Sequence, residues 1–181
     1  HRVDRRQRQM CIRDSILENK KCERLVSLVG LIFPFLEVHV VLGPKVLCNT
    51  NNADFNIFFK THLVGPIAEL YSNQANHMIS FILMVIVFDA CVRKTIPLTL
   101  FSRFNIIQGV LLDVICSFLG ITYSQLSYLV RESTFGELLA NVAYFGIVGF
   151  ILYAIFMILF GRYPKIPIVS EGARLNVQIF R

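Results

Sequence analysis

A run of 21 residues without a charged side chain, ANVAYFGIVGFILYAIFMILF at residues 140–160, constrains this chain more than any other feature. Its length matches the roughly 20 apolar residues that a helix needs to cross a bilayer. Of the 181 residues, 55% are hydrophobic and 17% are charged, against about 25% charged in a soluble domain. Disordered chains, coiled coils and nucleic-acid-binding arms need far more charge. The composition therefore predicts a protein that is embedded in membrane lipid and does not bind nucleic acid.

Three further stretches are apolar enough to span a bilayer, so the predicted spans are residues 25–42, 77–93, 105–121 and 140–160. None shows the strict alternation of a barrel strand, so the spans are helices. Residues 55–71 mix aromatic and polar side chains around a Gly-Pro pair, which favours an interfacial helix on the bilayer surface; a re-entrant fifth span is the alternative. The predicted fold is an all-α, four-transmembrane-helix bundle with this interfacial helix between spans 1 and 2.

The chain divides unevenly along its length. Residues 25–178 form one predicted membrane domain, and residues 16–24 form its N-terminal flank. Residues 1–15, HRVDRRQRQMCIRDS, resemble the translated read-through of a sequencing adaptor, and they have no apolar face at any period. We therefore expect residues 1–15 not to be native protein and exclude them from the argument.

Lysine and arginine are distributed unequally between the two sides of the predicted bundle. With four spans, both termini and the middle loop share one side, and that side carries ten Lys and Arg residues against three on the other. The ten are Lys20, Lys21, Arg24, Arg93, Lys94, Arg103, Arg162, Lys165, Arg174 and Arg181, and the three are Lys45, Lys60 and Arg131. The positive-inside rule therefore predicts that both termini face the cytoplasm-like compartment.

Three carboxylates lie within apolar segments: Glu37, Asp89 and Asp113. A charge at the centre of a bilayer costs at least about 2.5–3.5 kcal/mol, so such groups normally face the bundle interior or a wet cavity. Asp89 lies four residues before Arg93, which favours an interfacial ion pair. Glu37 lies deeper and follows the helix-interrupting Pro34, so a structural and a functional role remain equally open for it.

The third span carries a polar stripe. Asn105, Gln108, Asp113 and Cys116 fall within an arc of about 140° on a helix that turns 100° per residue. Such a stripe must meet other helices or water rather than lipid. Its members are therefore candidates either for interhelical hydrogen bonding or for the wall of a polar path. The geometry of one helix leaves both interpretations open.

Signatures of catalysis, cofactor binding and metal binding are missing from the sequence. The five cysteines form no CxxC, no histidine accompanies them at zinc spacing, and no phosphate loop, nucleophile elbow or HExxH occurs. We expect no enzymatic activity, no cofactor and no metal site. Gly146 and Gly149 in the fourth span are predicted to permit close helix packing.

Two segments, FSRFNIIQG through LLD at residues 101–113 and GRYPKIPIVSE at residues 161–171, resemble motifs of a known family, the twenty-kilodalton Tic subunit. The segment FSRFNIIQG through LLD, with Arg103, Phe104, Asn105, Gln108 and Asp113, resembles the signature RFNxxQxxxLD that opens the family's third span. The segment GRYPKIPIVSE at residues 161–171 is similar to the family's closing GKxPxIPxISEA. Its matching positions include Pro164, Pro167 and Glu171.

The resemblance implies a four-helix protein of the plastid inner envelope that contributes to the path of unfolded precursors into the stroma. It implies a hetero-oligomer with other inner-envelope translocon subunits, precursor proteins in transit as partners, and both termini in the stroma. Passive conduction along polar side chains fits this role. The alternatives are a scaffold subunit of the same complex, or a small ion or solute carrier that uses Glu37 or Asp113 as its coupling carboxylate.

Overall fold

The structure is a computed structural model, and it describes residues 20–47 and 74–178 together with isolated positions between 57 and 69. The two long described stretches contain helices and no strand, so the all-α prediction is confirmed there. In chain order the helices are α1 Lys20–Val29, α2 Ile32–Val41, α3 Gly43–Leu47, α4 Gln74–Val92, α5 Leu100–Gln125, α6 Tyr128–Arg131, α7 Thr134–Leu159 and α8 Val169–Gln178. Residues 1–15 lie outside the described residues, and so do most positions of the predicted interfacial helix at 55–71.

Three segments of the described chain are long and apolar enough to cross a membrane: 20–41, 100–125 and 134–159. A shorter apolar helix, Met78–Val92, lies within α4. The second span was predicted at 77–93, and α4, with 19 residues from Gln74 to Val92, covers all of that range except residue 93. The four-span count itself stays a prediction. Helices α5 and α7 extend beyond the predicted third and fourth spans, because polar residues at their ends continue the helix past the apolar segment.

The first span is broken between α1 and α2 at Gly30 and Leu31. Pro34 has no N–H to donate to the carbonyl of Gly30, four residues earlier, and its ring crowds that carbonyl. The chain therefore leaves the helix at Gly30 and restarts at Ile32. Pro34 then occupies the first turn of α2, where the backbone N–H groups need no intrahelical acceptor.

Helix α5 lies at the centre of the molecule, and α1, α2, α4 and α8 all pack against it. In its most apolar window 61% of residues are buried, compared with 28% in α7. Both long helices begin at a side-chain cap: the Thr99 hydroxyl accepts the N–H of Ser102 at 3.2 Å, and Ser133 accepts that of Gly136 at 3.3 Å. The central position of α5 determines which of its polar residues meet protein.

A close backbone contact joins Gly30 to Gly109 in α5. A Cβ built on Gly109 would lie 2.2 Å from the Gly30 carbonyl oxygen, and one on Gly30 would lie 2.6 Å from the Ile106 Cα. Only residues without a Cβ allow two backbones to approach so closely. By contrast, a Cβ at Gly146 or Gly149 would meet no described atom within 4 Å. Those two glycines therefore meet no other helix among the described residues, and their role in close helix packing stays a prediction.

After α7 the chain reverses and returns to α5. Gly161 has a φ of +69°, and the N–H groups of Gly161 and Arg162 bond to the carbonyls of Ile158 and Met157, both at 2.9 Å. This pattern is a Schellman motif, which ends the helix. Pro164 is buried, and α8 then packs along α5. Helix α8 was not predicted from the sequence.

The cations of the described chain follow the predicted asymmetry. The start of α1, the start of α5 and the end of α7 share one end of the bundle, since Arg24 donates to the Leu159 carbonyl at 2.7 Å and Thr99 bonds to Glu23 at 2.5 Å. Lys45 and Arg131 lie toward the other end, where Lys45 pairs with Glu132 at 2.9 Å. Lys60 and Arg181 lie outside the described residues. We call the first end the basic end.

Candidate functional site

The polar stripe of α5 is divided by its surroundings into two parts. Asn105 and Gln108 lie near the basic end, and Asp113 lies about a turn or more further along the helix. All three are buried. Gln108 contacts the C-terminal segment, whereas Asp113 lies on the side of α2. The two parts therefore have different neighbours and are described separately.

Gln108 connects α5 to the C-terminal segment. Its Nε2 donates to the Ser170 hydroxyl at 3.1 Å, and that hydroxyl donates to the Pro164 carbonyl at 3.2 Å. Asn105 donates from Nδ2 to the Phe101 carbonyl within its own helix at 2.9 Å. Both amides are 1% exposed. Gln108 thus bonds to the C-terminal segment, and Asn105 bonds within α5. Their role in helix packing or in a polar path stays a prediction.

The deeper part of the stripe joins a carboxylate of α2. The Ser117 hydroxyl donates to Oε1 of Glu37 at 3.0 Å. Asp113 lies one helical turn before Ser117 and interacts electrostatically with Glu37. Glu37 is 7% exposed and Asp113 is 9% exposed, so both carboxyl groups are held inside the protein. The two carboxylates that the sequence identified separately are therefore neighbours.

A second buried polar contact lies beside Glu37 on α2. His39 Nδ1 lies 2.7 Å from the Phe35 carbonyl, which can only accept, so Nδ1 carries the proton. Nε2 lies 3.1 Å from the Tyr144 hydroxyl of α7, so the two side chains share a hydrogen bond. It ties α2 to α7 and leaves the face of α2 that bears Glu37 turned toward α4 and α5.

A groove of about 560 Å³ opens between α2, α4 and α5 beside these carboxylates. Its wall is mainly apolar, and Glu37, Ser117 and Ser124 supply its polar groups. The remaining lining residues are Val41, Phe81, Met84, Val114, Phe118, Gly120 and Ile121. The groove is the described part of the chain where an intramembrane carboxylate, a hydroxyl and open space coincide. Ser117 was missed from the sequence, although its position four residues after Asp113 places it on the same helix face.

Apart from Asp113, the named residues of the two sequence motifs lie toward the basic end. Phe104 is buried, and its ring meets that of Tyr163 at 5.2 Å between centroids. Pro164 is buried, whereas Pro167 and Glu171 are exposed. Arg103 is partly buried, with its Nε lacking a hydrogen-bond acceptor among the described residues. The motifs therefore encode the contact between α5 and the C-terminal segment.

Asp89 forms the ion pair that its spacing predicts. The Arg93 Nε lies 2.7 Å from Asp89 Oδ1, and both side chains are more than half exposed. Asp89 is therefore separate from the buried pair of Glu37 and Asp113. Among the described residues no group of three or more His, Cys, Asp or Glu side chains could hold a metal ion.

Comparison with known proteins shows which family this chain resembles. The family model of the "Chloroplast import apparatus Tic20-like" proteins matches residues 10–173. A "Tic20 family protein Ycf60" of Gracilaria tenuistipitata var. liui is 29% identical over 157 residues, which cover 86% of this chain and 75% of that protein. The Porphyra purpurea protein of the same name is 27% identical over 156 residues, covering 85% and 75%. A "Tic20 family protein" of Synechocystis is 31% identical over 104 residues, covering 55% and 62%. Together with the two motifs at the basic end, these matches show that the chain belongs to the Tic20 family.

Proposed function

We propose that this protein is a membrane subunit of the plastid inner-envelope protein translocon and forms part of the path by which unfolded precursors enter the stroma. It crosses the membrane four times, with the basic end and both termini in the stroma. Its partners are other translocon subunits, precursor proteins and membrane lipid. Family membership supports the link to protein import. The observation that carries the conducting role is the groove beside Glu37 and Asp113.

The chemistry of the groove suits a moving polypeptide. A translocated chain needs polar groups that replace part of its hydration without binding it tightly. Glu37, Ser117 and Ser124 supply such groups on a wall that is otherwise apolar. Carboxylates in a low-dielectric wall also attract basic segments of a passing chain. Lipid is a poor neighbour for them, because an ionised group facing hydrocarbon costs several kcal/mol.

The position of α5 implies that the path is shared between subunits. Because α5 fills the axis of the described bundle, the groove lies on its side rather than along its centre. A lateral groove encloses a polypeptide only when another protein closes it. This supports a hetero-oligomer in which the face formed by α2, α4 and α5 meets a second translocon subunit.

A scaffold subunit is the second candidate, and the Gln108 contact favours it. In the half of the stripe near the basic end, Gln108 joins α5 to the C-terminal segment of the same chain. If the carboxylate pair also serves only assembly, the protein holds the complex together without touching precursors. Measuring import and assembly in the same variants separates the two functions.

The test neutralises the groove carboxylates without changing their size. Glu37→Gln with Asp113→Asn is introduced, and import of a labelled precursor into isolated plastids is measured at equal protein and complex levels. Asp89→Asn is the matched control, since its carboxylate lies in an exposed ion pair outside the groove. The conducting role predicts import several-fold slower in the double variant, with intact complex and a normal control.

Two outcomes contradict that role. Unchanged import in the double variant would remove the carboxylates from the path. Loss of the assembled complex, with import falling in proportion, would make this chain a scaffold. Ion-dependent uptake by the purified protein in liposomes, abolished in the double variant, would instead support a carrier.

A further inference from the structure

A second, larger cavity lies at the basic end of the molecule. It has a volume of about 870 Å³ and lies where α7 ends, α5 begins and α8 passes. It is lined by Leu100, Phe104, Met157, Gly161, Arg162, Tyr163, Lys165, Arg174 and Val177. Its size is within the roughly 300–1,000 Å³ of ligand sites. The groove beside Glu37 shares none of these residues, so the cavity is a separate feature.

Three cations converge on this cavity from two segments of the chain. Arg162 and Lys165 belong to the turn after α7, and Arg174 belongs to α8. No ion pair involving them is formed within the described residues. No Asp or Glu is among the described lining residues, although the Glu23 carboxylate acts on the pKa of Tyr163 and accepts the Thr99 hydroxyl. The cavity therefore presents a net positive wall to any occupant.

The remaining wall is apolar and aromatic. Leu100, Phe104, Met157 and Val177 supply hydrocarbon surface beside the cations. Tyr163 lies against the rings of Phe101 and Phe104, with centroids 5.1 and 5.2 Å apart. Burial raises the pKa of the Tyr163 hydroxyl, and the Glu23 carboxylate adds to that shift, so the hydroxyl stays protonated and available to donate a hydrogen bond. Tyrosine is characteristic of the depth at which lipid headgroups begin.

An occupant must match both parts of the wall. A soluble anion would pair with the three cations but would leave the hydrocarbon surface uncovered. An uncharged lipid would cover that surface but would leave the cations unpaired. The cavity also begins where the apolar span α7 ends, which is the headgroup level of a membrane-spanning protein. A molecule with an anionic head and an acyl chain satisfies the charge, the apolar surface and the depth together.

We propose that this cavity binds one acidic phospholipid, with its phosphate at Arg162, Lys165 and Arg174 and its upper acyl chain against Leu100 and Met157. The bound phosphate links the turn after α7 to α8. It thereby holds the C-terminal helix against the bundle. The proposal concerns the basic end alone and does not depend on the conducting role of the groove.

The test counts lipids on the purified full-length protein by native mass spectrometry. Phosphatidylglycerol is titrated first, and phosphatidylcholine with the same acyl chains and inorganic phosphate are titrated separately. We expect one phosphatidylglycerol retained per chain, with weaker retention of phosphatidylcholine. Inorganic phosphate should not displace the lipid at equal concentration. Equal retention of the two lipids overturns the proposal, and displacement by phosphate makes the cavity a free-anion site instead.

Charge variants localise the binding. Removing the three cavity cations as R162Q, K165Q and R174Q should lower phosphatidylglycerol affinity on the order of tenfold or more. The matched control removes three cations from the same end outside the cavity wall, as K20Q, K21Q and K94Q, and should keep most of the affinity. Equal losses in the two variants would mean general surface attraction and overturn the site.

An apolar variant tests the acyl-chain half of the cavity. Leu100 is 53% exposed, so Leu100→Ser leaves the bundle core intact while making the wall polar. Phosphatidylglycerol affinity should fall in this variant, whereas retention of inorganic phosphate should not change. Unchanged lipid affinity would contradict the acyl-chain contact. Melting temperatures of all variants are compared to exclude unfolding as the cause.

Discussion

The Gly30–Gly109 contact gives the most quantitative prediction of the structure. In Gly109→Ala the new Cβ would lie 2.2 Å from the Gly30 carbonyl oxygen and 2.4 Å from its carbon. Ordinary contact begins at 3.4 Å, so the backbones must separate by the difference of about 1.2 Å. The obstacle is backbone, which cannot rotate away as a side chain would. The contact holds the break in the first span against the central helix.

The expected free-energy change combines two opposing effects. Overpacking costs about 1–3 kcal/mol, and the backbone obstacle favours the upper end of that range. Alanine recovers about 0.8–1 kcal/mol of helix propensity relative to glycine. The net loss is therefore about 2 kcal/mol. For a chain of this size that lowers the melting temperature by about 4–8 °C.

Gly146→Ala is the matched control, because a Cβ there meets no described atom within 4 Å. It gains helix propensity without overpacking, so we expect a melting temperature unchanged or raised by about 2–4 °C. Unfolding is followed with a thiol-reactive dye at Cys91 and Cys116, which are 3% and 2% exposed. The other cysteines are replaced by serine. Equal melting temperatures for the two alanine variants would refute the reasoning.

Three smaller effects are expected in the same assay. Tyr144→Phe removes the hydrogen bond to His39 and should cost about 0.6 kcal/mol, the average for an interhelical bond in a membrane; no loss would contradict that bond. The hydrogen bond to Glu132 raises the pKa of Lys45, so their pair stabilises the fold at neutral pH and is lost only as pH rises past about 10.4; a double-mutant cycle that changes between pH 7 and 9 would contradict it. Lys94 has a φ of 60°, so Lys94→Gly should stabilise by up to about 1 kcal/mol.

The apolar runs predicted the helices because bilayer length and hydrophobicity are local properties of a sequence. Residues 105–121 lie within α5. Residues 140–160 lie within α7 except for residue 160, which follows the end of that helix. The extra turns at their ends depend on the caps Thr99 and Ser133, whose bonds are visible only once the backbone is folded. Pro34 predicted the interruption of the first span. Because proline has no N–H to donate to the carbonyl four residues earlier, the break lies at Gly30.

The division of the polar stripe could not be predicted, because it depends on what covers α5. Val169, Ala173 and Val177 repeat every fourth residue, which is a signal for an amphipathic helix. That repeat would have predicted α8, but not that it returns to cover Gln108. Likewise, the packing glycines were sought in the apolar fourth span, whereas the contact lies at the break that Pro34 makes. The division of the stripe, the position of α8 and the glycine contact all depend on packing between segments that are distant in the sequence.

In the proposed conducting role, the groove between α2, α4 and α5 faces a precursor in transit. A photoreactive amino acid at Phe118, a groove residue that is 67% exposed, tests this directly in plastids with a precursor arrested during import. Phe156 is the matched control, since it is 59% exposed on α7 and outside the groove lining. The account predicts crosslinks to the precursor from Phe118 and none from Phe156. Crosslinks from both positions, or from Phe118 only to other envelope proteins, would contradict it.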